Sequence, residues 1–427
     1  MLLEFSVGNF LSFKNKVTFS MVASNLRGHE EDNVFSLSKI DLLKTAVIYG
    51  ANASGKSNLF SSMSFMKNFI LNSSKESQSN EKINVKEFKF SSDTLNKPSE
   101  FEIIFIHEEI PYRYGFIIDT EKVHREWLYY VPKTKEAKLF EREGQNISLG
   151  PYFDEGKGLD KKTRKNALFL SVVDQFNGEK AKKVMDWFDR FYVISGIRHD
   201  QYKRFTVEML DNLEYKQEIV KFLKNADIGI EDISTIELSD EDLPAKMPKE
   251  LKELVLSERI ISTKHGVLDS EGNVIDFELM NMERDESEGT KKLFALSGPI
   301  IETLLKGETL VIDELDAKLH PLITRFILNL FQSTDKNPKN GQLIFATHDT
   351  NILSSRFFRR DQIWFTEKDK YSSTDLYSLA EYKMENDKKV RVDASFEKDY
   401  IQGKYGAVPY VGDFDMRING GGNYGDR

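Results

Sequence analysis

The residues most clearly suited to chemistry lie near the start of the chain, at Gly50–Ser57. They read Gly-Ala-Asn-Ala-Ser-Gly-Lys-Ser, the spacing of a phosphate-binding loop. Glycines let the backbone wrap closely, so that successive N–H groups point at phosphate oxygens. We expect Lys56 to reach the β- and γ-phosphates of ATP and Ser57 to hold Mg²⁺. The other predicted nucleotide contacts of this segment are Asn52, Ser54, Gly55 and Asn58.

The flanking sequence decides whether this pattern is a binding loop or a surface turn rich in glycine and serine. Thr45–Tyr49 is an apolar run typical of a buried strand. After the loop, apolar residues recur at helical spacing, at Leu59, Phe60, Met63, Met66 and Ile70. Strand, glycine-rich loop and helix in this order are the setting that phosphate binding requires, so we favour the binding loop.

A second apolar strand, Thr309–Asp313, is followed by another carboxylate, Glu314. In a hydrolase of Mg-ATP, Asp313 would bind the metal through water and Glu314 would polarise the attacking water. The alternative is that the two acids lie on the surface and cap the next helix.

Two further segments could reach the phosphates. Ser287 and Gly289 begin an amphipathic helix, whose positive dipole end would favour a γ-phosphate. The alternative is that Ser287 is an ordinary helix cap. Gln342–Ala346 is a buried strand that is soon followed by His348. A lone histidine is usually structural, but at the end of a strand beside phosphates it could contact and sense the γ-phosphate.

Composition limits the class of protein. The 427 residues suffice for one large or two medium domains, and 40% hydrophobic residues supply sizeable cores. The chain has no cysteine, which excludes disulfides and thiolate metal sites. Neither a signal peptide nor a membrane-spanning run is evident, so we expect a cytoplasmic protein without a membrane partner. A net charge of −9 argues against indiscriminate coating of nucleic acid.

The remaining segments predict two further regions. Residues 2–22 read as two strands, residues 24–42 as a loop, and residues from Glu100 to Leu149 as an antiparallel sheet with period two. Phe10 and Phe13 belong to the core or, alternatively, lie near the adenine.

Helical periodicity dominates residues 150–257, up to a helix around Leu251–Leu256. This region contains an acidic run, Asp240–Asp242, and a basic cluster, Lys161–Lys165, which is either a solvated helix face or a contact for nucleic acid or a partner. Arg259–Lys264 and Val274–Met280 pair as a hairpin.

These motifs in this order resemble the ABC-type ATPase clan, in its SMC/RecF/OLD-like branch. Asp316–Pro321 resembles the D-loop of that clan and makes Asp316 a nucleotide contact by resemblance. Three segments are similar to the AAA-15-type stand-alone ATP-binding proteins of bacterial phage-defence systems, such as the PARIS ATPase and AbiL-like proteins: Glu286–Thr290, Asp361–Phe365 and Gly403–Pro409. The resemblance covers residues 1–135 and 258–410.

Two departures from the clan stand out. By resemblance, Ser287–Gly289 is the signature segment of the clan, and its Glu288 stands where many ABC proteins have glycine. The glutamine that contacts the metal in the clan has no obvious counterpart, and Gln175 is the candidate.

The resemblance implies an α/β fold: an ABC-type P-loop NTPase head with an antiparallel β subdomain and an inserted helical subdomain. Lobe I would span 1–135, the mainly helical insert 136–257, lobe II 258–410 and a C-terminal tail 411–427. It also implies Mg-dependent ATP hydrolysis in head-to-tail dimers, alone or within a larger ring.

Three functions compete under this resemblance. The first is a sensor ATPase that controls a separately encoded toxic effector, a nuclease, and responds to a phage trigger protein or DNA. The second is a RecF- or SMC-like ATPase that binds DNA in repair or maintenance. The third, an OLD-type nuclease, fares worst because the chain after His348 is too short for a nuclease domain. Within the second, an SMC protein is disfavoured because no segment sustains the heptads of SMC arms.

Overall fold

The computed structural model describes residues 1–26, 28–75, 78, 81–226, 228–236, 247–249, 252, 259–383, 389–391 and 394–409. The predicted acidic run 240–242 and tail 411–427 lie outside these residues, as does the predicted helix around 251–256 apart from residue 252. Strands and helices are numbered along the chain.

A six-stranded sheet forms the centre of the molecule. Its strands, in spatial order, are β11 (Phe191–Ser195), β15 (Thr309–Asp313), β16 (Gln342–Ala346), β5 (Thr45–Tyr49), β17 (Ile363–Lys368) and β18 (Thr374–Ser378). The first five are parallel, and β18 runs antiparallel to β17. Burial of nearly every residue of β5, β15 and β16 is typical of a parallel sheet covered on both faces. The segments after these three strands therefore emerge at the same edge.

An antiparallel sheet of seven strands lies beside this core. The strands are β1 (Leu2–Gly8), β2 (Val17–Ser20), β6 (Ser99–His107), β7 (Ile110–Ile118), β8 (Val123–Tyr130), β9 (Ala137–Glu143) and β10 (Asn146–Leu149). The N-terminal strand β1 pairs with both β2 and β6. The predicted small sheet is therefore larger than expected, because the chain begins inside it.

Helices cover the two faces of the central sheet. The helices among the described residues are α1 (Glu30–Asn33), α2 (Lys56–Asn72), α3 (Phe169–Gln175), α4 (Glu179–Asp189), α5 (Asp200–Met209), α6 (Leu213–Asn225), α7 (Glu288–Lys306), α8 (Pro321–Gln332) and α9 (Phe396–Ile401). Alternate residues of β5 enter different cores: Ala46 and Ile48 pack with α2 and the antiparallel sheet, whereas Val47 and Tyr49 pack with α5 to α8. None of the described helices is long and apolar enough to cross a membrane.

Two smaller sheets complete the described fold. One consists of β12 (Ile230–Ile236), β13 (Ile260–Leu268) and β14 (Val274–Asn281), and its β13–β14 pair confirms the predicted hairpin. The other is the hairpin of β3 (Val34–Leu37) and β4 (Ile40–Leu43). The prediction of a loop over residues 24–42 is therefore wrong.

The predicted α/β class is confirmed, with a P-loop core, an antiparallel sheet and several helices. Segment 136–257, however, is not set apart as an insert. Its β9 pairs with β8 across the predicted boundary at 135, and its β11 is an edge strand of the central sheet. The boundaries of the other proposed domains stay predictions.

The basic cluster Lys161–Lys165 does not form a helix face. A short 3₁₀ turn ends at Lys162, and the next residue, Thr163, is buried. Arg164 donates to the carbonyl oxygens of Ser73 and Ser74 at 3.4 and 3.2 Å. At least part of the cluster therefore ties this turn to the end of α2.

Candidate nucleotide-binding site

The phosphate-binding loop turns sharply between β5 and α2. Gly55 precedes α2 with φ +115°, and Ala53 also has a left-handed conformation, with φ +62°. A Cβ atom on Gly55 would lie 2.3 Å from Thr374 Oγ1, so a glycine is required here by both conformation and space. The loop is held tightly around an open centre.

The Lys56 side chain is buried and folds back over its own loop. Its ammonium group donates to the carbonyl oxygens of Gly50 and Ala51 at 2.7 and 3.1 Å. Burial lowers the pKa of Lys56, and the charges of Asp313, Glu314 and Asp316 oppose this shift. Phosphate oxygens would replace the two carbonyls as better partners for this cation.

A shell of hydroxyl groups supports the loop and was not predicted. Ser54 Oγ lies 2.6 Å from Thr366 Oγ1, and Thr374 Oγ1 donates to the Ser54 carbonyl at 2.8 Å. Asn58 Nδ2 donates to Ser12 Oγ at 2.7 Å. Thr366 lies on β17, beside β5, and Thr374 lies on β18, the next strand outward, so only the folded topology identifies them.

The Asp313 carboxylate sits at the end of β15, opposite the loop. Burial raises its pKa, while a hydrogen bond with Ser57 lowers it. Asp313 Oδ1 is buried without a hydrogen-bond partner. A hydroxyl and a buried carboxylate with an unused oxygen suit Mg²⁺, which is usually held by few protein ligands together with phosphates and water. No cluster of three or more metal-binding side chains occurs among the described residues.

Glu314 follows Asp313 in a left-handed backbone conformation, with φ +55°. A non-glycine residue rarely adopts this conformation, and such strain concentrates at functional sites. Gly196, at the end of the neighbouring strand β11, packs directly beneath it: a Cβ atom there would lie 2.1 Å from the Glu314 carbonyl oxygen. Gly196 is thus a supporting residue that local sequence gave no reason to select.

His348 and Asp316 meet on the same side of the site. The backbone N–H of His348 donates to Asp316 Oδ2 at 3.3 Å, and Asp316 Oδ1 is buried without a partner. The imidazole of His348 is exposed toward the cleft. The predicted D-loop and the strand-end histidine are therefore adjacent.

These elements surround an open cleft of about 610 Å³. It is lined by most of the predicted site residues and by two others, Ala53 and Lys368; the predicted ones are Asn52, Ser54, Gly55, Lys56, Ser57, Asn58, Glu314 and His348. Lys368 adds a cation that no motif indicated.

Ser287 and Gly289 do not line this cleft. They lie at a second cleft of about 510 Å³, together with Lys318 and apolar residues of α8 such as Leu322. Ser287 caps α7 by accepting from the backbone N–H of Thr290 at 3.1 Å, so the simple capping role is realised. A Cβ atom on Gly289 would lie 3.0 Å from the Lys318 carbonyl oxygen.

Glu288, the departure from the clan's signature, is exposed between two lysines. Its carboxylate pairs with Lys318 at 3.0 Å and Lys291 at 3.1 Å. Hydrogen bonds from both lysines lower the pKa of Glu288 to about 2. On the surface around Ser287–Gly289, the signature surface, the charge of the Glu288 carboxylate is therefore neutralised by lysines of the same chain.

Gln175 is not brought to the nucleotide cleft. It is exposed at the end of α3 and does not appear among the residues that line the cleft. The structure gives no support to its prediction as a metal ligand. Phe10 and Phe13 are buried, and Phe10 packs against Phe65 and Phe101, so they belong to the core.

Residues 46–354, well over half of the chain, match the family described as "AAA domain, putative AbiEii toxin, Type IV TA system". No curated protein matches the chain.

Similar solved structures include the SMC head domain from Thermotoga maritima, with 12% identity, a TM-score of 0.41 and coverage of 88% of this chain and 98% of that chain. A second is an SmcHead bound to the C-winged helix domain of ScpA, with 15% identity, a TM-score of 0.45 and coverage of 88% and 97%. A third is the Smc head domain with an extended coiled coil bound to the C-terminal domain of ScpA derived from Pyrococcus furiosus, with 13% identity, a TM-score of 0.39 and coverage of 88% and 96%.

Proposed function

The chain belongs to this AAA domain family, and from that premise we propose that it is a cytoplasmic ATPase that works as a sandwich of two copies. Each nucleotide would be held by the phosphate-binding loop of one copy and the signature surface of the other. In the bacterial cell, hydrolysis would time the release of a separately encoded toxic effector, such as a nuclease, during phage infection.

The cleft supplies the groups that ATP hydrolysis needs. Lys56 and the backbone N–H groups of the loop would bind the phosphates, and Ser57 and Asp313 would hold Mg²⁺, which neutralises phosphate charge when bound. Glu314 would orient the attacking water and accept its proton, while His348 would contact the γ-phosphate. Binding and positioning thus come from residues at one edge of the central sheet.

The separation of the two clefts is the observation that carries the sandwich. Ser287 and Gly289 lie at a helix N-terminus suited to phosphate, yet they line a different cleft from Lys56. The nucleotide cleft is also open to solvent. A second copy in head-to-tail contact would close each cleft with the signature surface of the other, which is a symmetric and self-limiting arrangement.

The family description supports a link to the control of a toxin, because it names a toxin of a type IV toxin–antitoxin system. A protein of this kind needs a switch whose state depends on a trigger. ATP-dependent closure of two copies provides two distinct states, and the difference in effector affinity between those states would set the response. The trigger would be a phage protein or phage DNA.

Substitution of Glu314 by Gln tests the sandwich. The amide keeps the size of the side chain but cannot accept a proton from water, so ATP should stay bound and the closed pair should accumulate. Light scattering with Mg-ATP should show the mass of the dimer, or of a ring built from dimers, for the variant. The assembled fraction should be smaller for the wild type. Lys56→Ala is the matched control that should stay in the nucleotide-free state.

Failure of Glu314→Gln to increase the assembled fraction would contradict the sandwich. Duplex-DNA affinity, measured at several salt concentrations, separates the defence role from a RecF- or SMC-like role. Tight binding with a steep salt dependence would favour the DNA-binding role. We expect weak binding to duplex DNA.

A further inference from the structure

The hairpin of β13 and β14 exposes apolar side chains that a folded strand normally buries. On one face of β14, Ile275 is 65% exposed, Phe277 46% and Leu279 63%. Period-two alternation usually places such a stripe against a core. Contiguous exposed apolar surface of this kind marks a binding site.

β14 is also an edge strand. In the described three-stranded sheet, the order is β12, β13, β14, so one side of β14 has no strand neighbour. The backbone N–H of Phe277 is hydrogen-bonded to Asp276 Oδ1 at 2.8 Å. An unpaired edge is a template to which an extended segment of another chain can add as a new strand.

The hairpin is well built rather than loosely attached. The ammonium group of Lys264 lies 3.8 Å from the centre of the Phe277 ring. At the turn, the Asp269 carboxylate accepts from the backbone N–H groups of Glu271 and Asn273 at 2.9 and 2.8 Å. A preformed strand loses little conformational entropy when it binds a partner.

We propose that the outer edge of β14 binds an extended segment of a different protein. That segment would carry apolar side chains on one face, against Ile275, Phe277 and Leu279. On its other face it would carry lysine or arginine, opposite Asp276 and Glu278. Hydrogen bonds to the backbone of β14 would supply the affinity for this segment, and Asp276 and Glu278 would make the binding specific for a basic partner.

Pairing with a second copy of the same strand is disfavoured by charge. In an antiparallel pair that keeps the apolar stripes on one face, Phe277 opposite Phe277 of the second copy puts Asp276 opposite Glu278. The next register that keeps the stripes on one face puts Asp276 opposite Asp276 in one direction and Glu278 opposite Glu278 in the other. Like charges directly opposite are destabilising across strands. Acids at an edge also prevent self-association, but this role alone leaves the exposed apolar stripe unexplained.

A connection to the nucleotide-dependent surface makes this edge suitable for a controlled partner. The Glu286 carboxylate, next to Ser287, accepts from Thr263 Oγ1 at 2.6 Å and lies 2.7 Å from His265 Nε2. Both of these residues belong to β13. A shift of the signature segment on closure would therefore be transmitted to the hairpin. In this respect the inference rests on the proposed function, since the partner would be the effector.

The test uses fluorescein-labelled peptides of eight residues and the full chain. One peptide alternates lysine and valine, a second replaces every lysine by glutamate, and a third has the composition of the first in two blocks. Fluorescence anisotropy should show that the alternating lysine peptide binds about tenfold more tightly than either other peptide. The double variant D276K/E278K should reverse the preference, so that the glutamate peptide binds more tightly.

The control variant E214K/E218K makes the same change of net charge on α6 and should keep the wild-type preference. Leu279→Asp is a second variant, which should weaken binding of the lysine peptide. Equal binding of all three peptides, or an unchanged preference in D276K/E278K, would overturn the proposal. Loss of a dimer in Leu279→Asp without nucleotide would overturn it in favour of self-pairing. ATPase rate and ATP-dependent assembly, measured on the same variants, should match the wild type, so a failure of the sandwich is recognised separately.

Discussion

The ammonium group of Lys292 lies 2.6 Å from the carbonyl oxygen of Ala317. Lys292 belongs to α7, which begins at the signature surface, and Ala317 belongs to the turn after the strand that ends in Asp313. The same ammonium group also contacts the carbonyl oxygens of Leu315 at 2.8 Å and Glu314 at 3.3 Å. The buried ammonium group of Lys292 therefore joins two segments. One is the turn that carries Glu314, and the other is α7, the helix that would contact the nucleotide of the second copy.

Substitution of Lys292 by Met should lower the ATPase rate without changing ATP affinity. Methionine retains the apolar stem but removes the ammonium donor that these three carbonyl oxygens share, so the turn that carries Glu314 loses its fixed position. We expect the turnover rate to fall by on the order of tenfold, since small errors in positioning are costly. Steady-state hydrolysis and nucleotide binding check this, with Lys224→Met, at an exposed ion pair, as the control. Equal losses of affinity and rate would contradict a positioning role.

Substitution of Gly196 by Ala should also displace Glu314 and lower the rate of ATP hydrolysis. The new methyl group would lie 2.1 Å from the Glu314 carbonyl oxygen, and backbone atoms cannot move aside cheaply. We expect hydrolysis to fall at least tenfold while the loop around Lys56 still binds nucleotide. Gly266→Ala, on the hairpin, is the control because its nearest neighbour is a valine side chain at 3.3 Å. Wild-type hydrolysis in Gly196→Ala would show that this contact does not position Glu314.

The pH dependence of stability should include a contribution from Glu308. Its two carboxylate oxygens are buried without hydrogen-bond partners, and burial followed by the charge of Glu302 raises its pKa from 4.5 to about 7. Because the folded state binds this proton more tightly than the unfolded state, the stability it contributes is complete below pH 4.5 and is lost as pH rises to about 7.

Glu308→Gln should therefore be more stable than the wild type at pH 8, by roughly 1–3 kcal/mol, because no charge is buried. The difference in Tm between the two proteins should shrink as pH falls from 8 to 5, measured by calorimetry. Glu109→Gln is the control, because Glu109 is exposed and lines the same surface pocket as Glu308. A constant difference in Tm across this range would contradict the assignment.

The sequence was most informative where short motifs end buried strands. Gly50, Asp313 and His348 are far apart in the chain, but each lies at or just after the end of a strand that the apolar runs identify. Parallel strands deliver such residues to one edge of a sheet, so most residues of the nucleotide cleft, though not Lys368, could be predicted from local patterns. The apolar runs of these strands could also be recognised without knowing the order of the sheet.

The errors have equally local causes. Phe191 follows Phe188 at helical spacing, and this hid the start of β11 and with it the supporting contact of Gly196. Strands β3 and β4 are short, and the half-buried β3 shows no clean alternation, so a loop was predicted instead. The contacts of Thr374 and Lys292 depend on pairing between distant segments, which no local pattern reports.

The central claim is that each nucleotide site is shared between two copies, and a mixing experiment tests it most directly. Lys56→Ala removes the phosphate contact of its own site, and Ser287→Arg blocks the signature surface offered to the other copy, so each variant alone should be inactive. In an equal mixture, about half of the dimers combine both variants, and each of these contains one site with Lys56 and Ser287 intact. The account predicts that the mixture recovers about a quarter of the wild-type rate of phosphate release. A mixture that stays at the sum of the two separate rates, in a preparation shown to exchange subunits, would contradict it.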